Sequence, residues 1–235
     1  MTRTTNARLA AFTFLLYISV GIISMVLFGG ATSAEGMAAK FAAIVEQASD
    51  VRITITLSLL TCFTALVLGV TLYGITRDED HELAVLALSC RVSEGVLNAI
   101  AVMATVGLLW LGTETRAGAP DLAAAHALGA FLLKVQAWNM TIGATFFAVG
   151  STIFSYLFLR GRIVPVLLAW LGIVASVLLV VILPLQLVGY FSGSVGMVVW
   201  LPMLVFEVTI AFWLLIKGVA KRRDTETHYD DQYYR

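Results

Sequence analysis

Six apolar runs, at residues 9–28, 53–75, 83–111, 128–159, 164–188 and 197–216, fill most of this chain. Each is at least about as long as the ~20 helical residues that cross a hydrocarbon core. Runs of this length and apolar character read as membrane-spanning helices. The pattern therefore predicts an all-α, polytopic integral membrane protein, a six-transmembrane-helix bundle spanning residues 1–219. Residues 220–235 lack apolar periodicity and read as a disordered cytoplasmic tail. The third and fourth runs exceed one crossing and must tilt or protrude.

Composition narrows the function classes. Charged residues make up 13% of the 235, against roughly 25% in soluble domains. Fifteen basic and fifteen acidic residues cancel, so no basic field suited to nucleic acid exists. Partners are expected in the bilayer or at its faces, and nucleic acid is not one of them. The basic residues also orient the chain. With the N-terminus inside, ten of them fall on the cytoplasmic side, from Arg3 to Arg235, against Lys40, Arg52 and Arg116 outside. Arg91 and Lys134 lie within predicted spans. The reading is a bacterial cytoplasmic membrane protein with both termini cytoplasmic. A cleavable signal peptide is the alternative for the first run, since small residues follow it, but 20 apolar residues exceed the usual signal core.

Connections are short apart from residues 29–52. There Met37, Phe41, Ile44 and Val45 recur at helical spacing with Glu35, Lys40, Glu46 and Asp50 on other faces, predicting an amphipathic segment on the outer side. In the inner loop the acids of Asp78-Glu79-Asp80-His81-Glu82 suit the start of the next helix, and Pro120-Asp121 reads as another helix start. Cys62 and Cys90 lie within runs and read as packing residues rather than a disulfide. Pro184 and Pro202, with Gln186, are expected to bend the last two spans.

Charges are costly in lipid, so the intramembrane ones are the candidate site. Glu207 lies near the middle of the sixth run, too deep to reach either surface, and should face the bundle interior. Arg91 and Glu94, three apart, share a face with Asn98 one turn on. Lys134 is followed at helical spacing by Trp138, Thr141 and Thr145, with Asn139 alongside. Two acids and two bases sum to zero, so Arg91, Glu94, Asn98, Lys134, Asn139 and Glu207 are the candidate binding residues. The competing reading has Arg91 and Glu94 as a structural pair, with Arg91 and Lys134 reaching toward the interfaces. Glu94 and Glu207, on the third and sixth runs, also occupy the places an inverted repeat would give them. His81, His126 and His228 lie at helix ends or in the tail, so no heme or metal set is expected. No nucleophile elbow or phosphate loop is present, and the chain reads as neither an enzyme nor a cofactor carrier.

Ala7-Arg8-Leu9-Ala10, Leu72-Tyr73-Gly74-Ile75-Thr76-Arg77, Leu86-Ala87-Leu88-Ser89-Cys90-Arg91-Val92-Ser93-Glu94, Leu159-Arg160-Gly161-Arg162-Ile163-Val164-Pro165, and Glu207 followed by Phe212-Trp213-Leu214-Leu215-Ile216-Lys217-Gly218 occur in this order. On these motifs the chain resembles a bacterial multi-pass membrane family known only as domain of unknown function 4386. The resemblance implies six helices with Arg91, Glu94 and Glu207 at the family's polar positions, and it implies no activity. Lys134 departs from the apolar residue expected there. The resulting expectation is a protein that binds or transports a small solute or proton at the Arg/Glu cluster, or else an accessory or sensory protein whose buried charges lock helix packing.

Overall fold

The computed structural model describes residues 2–118, 121–190 and 198–219. These contain seven α-helices and no strand: α1 Arg3–Thr32, α2 Met37–Glu46, α3 Ala48–Thr76, α4 His81–Arg116, α5 Leu122–Arg160, α6 Val166–Leu187 and α7 Leu201–Ile216. Five of them, α1 and α3–α6, are long and apolar enough to cross a membrane. The chain is a multi-pass membrane protein. The apolar α7 is shorter, at 16 residues. Pro120 and the expected tail lie outside the described residues.

Each long helix packs against the next in sequence, and α7 returns to α1, so that α1, α3, α4, α5, α6 and α7 close a ring. Successive members are antiparallel because their connections tie like ends together. At one end Arg3 of α1 donates to the Ile75 carbonyl of α3 at 2.9 Å and pairs with Glu79 at 3.3 Å. Arg160 of α5 pairs there with Asp80 at 2.7 Å, while Asp80 caps α4 by accepting from Leu83 N at 3.1 Å. At the opposite end α2 lies across the bundle, with Phe41 and Ile44 buried beside Ala31, Leu108, Leu111 and Ala125. We call these the charged end and the α2 end.

Large apolar side chains cover the ring's outer face, among them Phe12, Val70, Met103, Trp110 and Leu167, the last 83% exposed. A water-facing surface rarely carries so continuous an apolar face. Lipid gives helices no hydrophobic reason to associate, so close packing through small residues does that work. A Cβ on Gly69 of α3 would sit 2.9 Å from Arg91 Cβ of α4, and one on Gly150 of α5 would sit 3.1 Å from Cys90 Cβ. The two glycines admit α4 between α3 and α5 at the level of Arg91. Between α5 and α6, Thr152 and Ser176 join hydroxyls at 2.9 Å.

At 1.5 Å per residue, the 36 residues of α4 rise about 54 Å and the 39 of α5 about 58 Å, well beyond a ~30 Å core. Both helices project at the α2 end. Pro184 stands inside α6, three residues before its last, whereas Pro202 occupies the first turn of α7. That position needs no N–H and suits proline's fixed φ, so Pro202 starts its helix instead of bending it.

Candidate functional site

Three side chains meet about 20 Å along their helices from the charged end: Tyr17 on α1, Glu94 on α4 and Phe147 on α5, each 13 or 14 residues from the helix terminus there. Arg91 lies one turn closer to that end and is 1% exposed. Its guanidinium Nη1 approaches Glu94 Oε2 at 2.9 Å, an ion-pair contact whose angle falls short of a hydrogen bond. The guanidinium carbon also stands 4.9 Å from the Phe147 ring centre and 5.3 Å from that of Tyr17. Cation–π attraction strengthens as water is excluded, so the two rings supplement the single carboxylate. The Tyr17 hydroxyl donates to Glu94 Oε1 at 2.5 Å. Both carboxylate oxygens thus have a partner at hand, one neutral and one cationic.

Glu207 on α7 is 6% exposed and turned into the ring, where its Oε1 has no hydrogen-bond partner among the described residues. Arg91 Nε and Nη2 are likewise unpartnered, as is Ser155 Oγ, and a cavity of about 10 Å³ lies between Arg91, Ser151 and Ser155. That is about the space of one water. Two carboxyl groups and one guanidinium therefore share the ring interior.

A larger groove, of about 400 Å³, begins at Glu94 and Tyr17 and runs toward the α2 end between α1, α3, α4 and α5. Asn98, Ser58, Thr61 and Gln136 give it polar points, and Met25, Phe28, Met140, Phe147 and Trp200 give it apolar walls. Gln136 and Phe28 stand 24 and 25 residues from the charged ends of their helices, about 36–38 Å along them. The groove thus spans from mid-bundle to beyond the thickness of a ~30 Å core.

The sequence-derived candidates divide on this geometry. Arg91 and Glu94 are paired and buried, Asn98 lines the groove, and Glu207 faces inward without lining it. Asn139 is buried against α4, donating from Nδ2 to the Leu97 carbonyl at 2.5 Å, and acts as an interhelical clasp outside the groove. Lys134 does not join the cluster: it is exposed on α5. Standing 26 residues from Arg160, it lies about 39 Å along α5 from the charged end, about 19 Å farther than Phe147 and the Arg91–Glu94 pair. The expected sum of two acids and two bases is therefore not assembled. Trp138 is exposed too, and Thr141 and Thr145 donate back to carbonyls of their own helix at 3.0 and 2.9 Å. Cys62 and Cys90 are buried free thiols.

Tyr17 is the site residue that pattern reasoning missed. Its signal was a tyrosine at the centre of an apolar run, when membrane tyrosines favour the interfaces. Gly69 and Gly150 gave a similar signal, as glycines in mid-run beside the level of the charges.

Residues 9–218 match the model of a family described as Domain of unknown function (DUF4386). The chain belongs to that family. None of the curated proteins and none of the solved structures matches it. Within the matched span lie Arg91, Glu94, Glu207, Tyr17 and the whole groove wall, so the site described here lies entirely inside the family's domain.

Proposed function

We propose that this DUF4386 member is a six-span protein of a bacterial cytoplasmic membrane that binds, and in doing so carries or senses, a small solute or proton at the Glu94 end of the groove. On this reading α7 is the sixth span. Its 16 helical residues rise about 24 Å, and the apolar residues that flank them supply the remaining reach. The charge count puts the charged end and both termini in the cytoplasm and the α2 end outside. The groove then opens outward.

The observation that carries the proposal is a groove of about 400 Å³ leading to a carboxylate at mid-bundle. Its volume falls in the range of small-molecule sites, apolar with a few polar points. The test is water access. In a Cys62→Ala, Cys90→Ala background, Ser58→Cys on the groove wall is exposed to methyl methanethiosulfonate, a small neutral reagent whose thio sulfur is attacked by a thiolate, forming a methyl disulfide and releasing methanesulfinate. A thiol facing water reacts, whereas one sealed in protein or lipid stays protonated and inert. Rapid modification is expected, and an inert thiol would rule out the groove as an aqueous site.

A second reading has its own support. Arg91 is enclosed by Gly69, Gly150, Tyr17 and Phe147, as befits a lock on helix register in an accessory or sensory protein. The two readings coexist if Arg91 holds Glu94 in place for a ligand.

A further inference from the structure

We infer that the groove selects amphipathic organic monocations, protonated amines above all, with Glu94 as the counter-charge and the aromatic wall as the seat for the apolar body. This rests on the groove being a binding site and adds the class of ligand.

Sign comes first. Among the described residues lining the groove, Glu94 is the one charged side chain, and none is basic. Residues 191–197, between α6 and α7, contain no ionisable side chain in any arrangement. Among the described residues, the buried interior holds two carboxyl groups, Glu94 and Glu207, against the single guanidinium of Arg91. The set is thus complementary to one more positive charge, and an anion entering the groove would meet the Glu94 carboxylate at its inner end.

Capacity comes next. An ionised carboxylate has about four acceptor positions, and Glu94 uses one for Tyr17 and one for the Arg91 contact. An ammonium entering along the groove can take another without displacing either. Farther out, Gln136 and Ser24 line the groove, and their buried side-chain oxygens lack a partner among the described residues. Gln136 Oε1 only accepts, so it calls for a ligand N–H or O–H. The walls then settle the body of the ligand. Phe147 and Trp200 stack at 6.0 Å between ring centres, and Met25 and Met140 stand at the rim. Aromatic faces attract cations and apolar groups alike, and methionine adapts to irregular shapes.

The experiment uses the same Ser58→Cys protein in membranes and asks which of three ligands shields the thiol from methyl methanethiosulfonate: 2-phenylethylammonium, 2-phenylethanol or phenylacetate. They share an aromatic body and differ in head-group charge. Half-protection is expected from the ammonium at a concentration at least about tenfold below that of the alcohol, with phenylacetate weakest. Glu94→Gln should erase the preference of ammonium over alcohol. Because that change also alters the ion pair, Gln136→Lys provides a second arm on the groove wall, and it should reverse the order in favour of phenylacetate. Equal protection by ammonium and alcohol, or an order unchanged in Gln136→Lys, would overturn the cation class while leaving an accessible groove. A thiol unreactive without any ligand would instead remove the groove reading itself.

Discussion

Arg91 shows how a charge survives at mid-bundle. Its stem passes between two glycines, its head meets a carboxylate three residues along the same helix, and two aromatic faces close around it. Removing one member of a buried pair strands the other, at a cost of about 3–5 kcal/mol, while replacing both with apolar groups is often much milder. Arg91→Leu and Glu94→Leu should each lower stability by roughly that amount in thermal unfolding in detergent, and the double variant by less than either. Losses that simply add would show that the pair is not a unit. Tyr17→Phe should cost about 1.5–3 kcal/mol, the usual worth of a hydrogen bond to a charged acceptor, and the same melts will show it. The Arg91–Glu94 pairing was legible in the sequence because three-residue spacing on a helix dictates it. Tyr17 was not, because its partnership depends on α1 facing α4 across the ring interior, a tertiary arrangement that helical spacing does not give. Lys134 had two readings, a member of the cluster or a cation reaching toward the interface, and spacing could not choose between them because it gives the face of a helix but not its depth; on α5 it stands exposed and away from the pair.

At the scale of elements, glycines set how closely helices approach, and their neighbours decide the cost of a methyl group. On Gly69 it would meet Arg91 Cβ at 2.9 Å, an atom fixed to the α4 backbone. On Gly161 it would meet the Glu79 side chain, whose carboxyl end can swing away. Gly69→Ala should therefore destabilise by about 1–3 kcal/mol, as overpacking does, and Gly161→Ala by clearly less, both by detergent melting. The start of α4 offers a pH test. The Leu83 N–H that Asp80 accepts, reinforced by Arg160, holds its carboxyl below the ordinary 3.8. A group depressed in the fold contributes stability above its unfolded pKa and loses it as pH falls through the folded one. The stability gap between the native protein and Asp80→Asn should thus be steady above about pH 5 and close below about pH 4. A gap that does not change on acidification would remove the charge from the capping role. The helix starts at Asp80 and Asp121 were readable because capping is local chemistry, and the amphipathic spacing of Met37, Phe41, Ile44 and Val45 marked α2 as an outer segment, whereas its packing chiefly against α4 depends on tertiary contacts that spacing does not carry.

For the whole molecule, the apolar runs made an all-α membrane bundle legible at once, since lipid leaves few alternatives. Neither the ring nor the groove could be read in the same way, because both depend on which helix neighbours which. The orientation is testable directly. Reporter fusions after residues 30, 78, 115 and 161 should alternate outside, inside, outside, inside, and a periplasmic reporter active after residue 78 would reverse the topology.

The contact between α7 and α1 means that the circle of helices has no geometric beginning. Residues 3 and 216 stand at the same end of neighbouring helices, so the order in which synthesis delivers the helices is only the place where the circle happens to be cut. A gene permuted to start at α4, with a short linker joining residue 219 to residue 2, would draw the same ring from a different opening. In that version Arg91 and Glu94 would enter the bilayer in the first helix made, already neutralising each other within one turn, and Tyr17 would arrive among the last residues to find them.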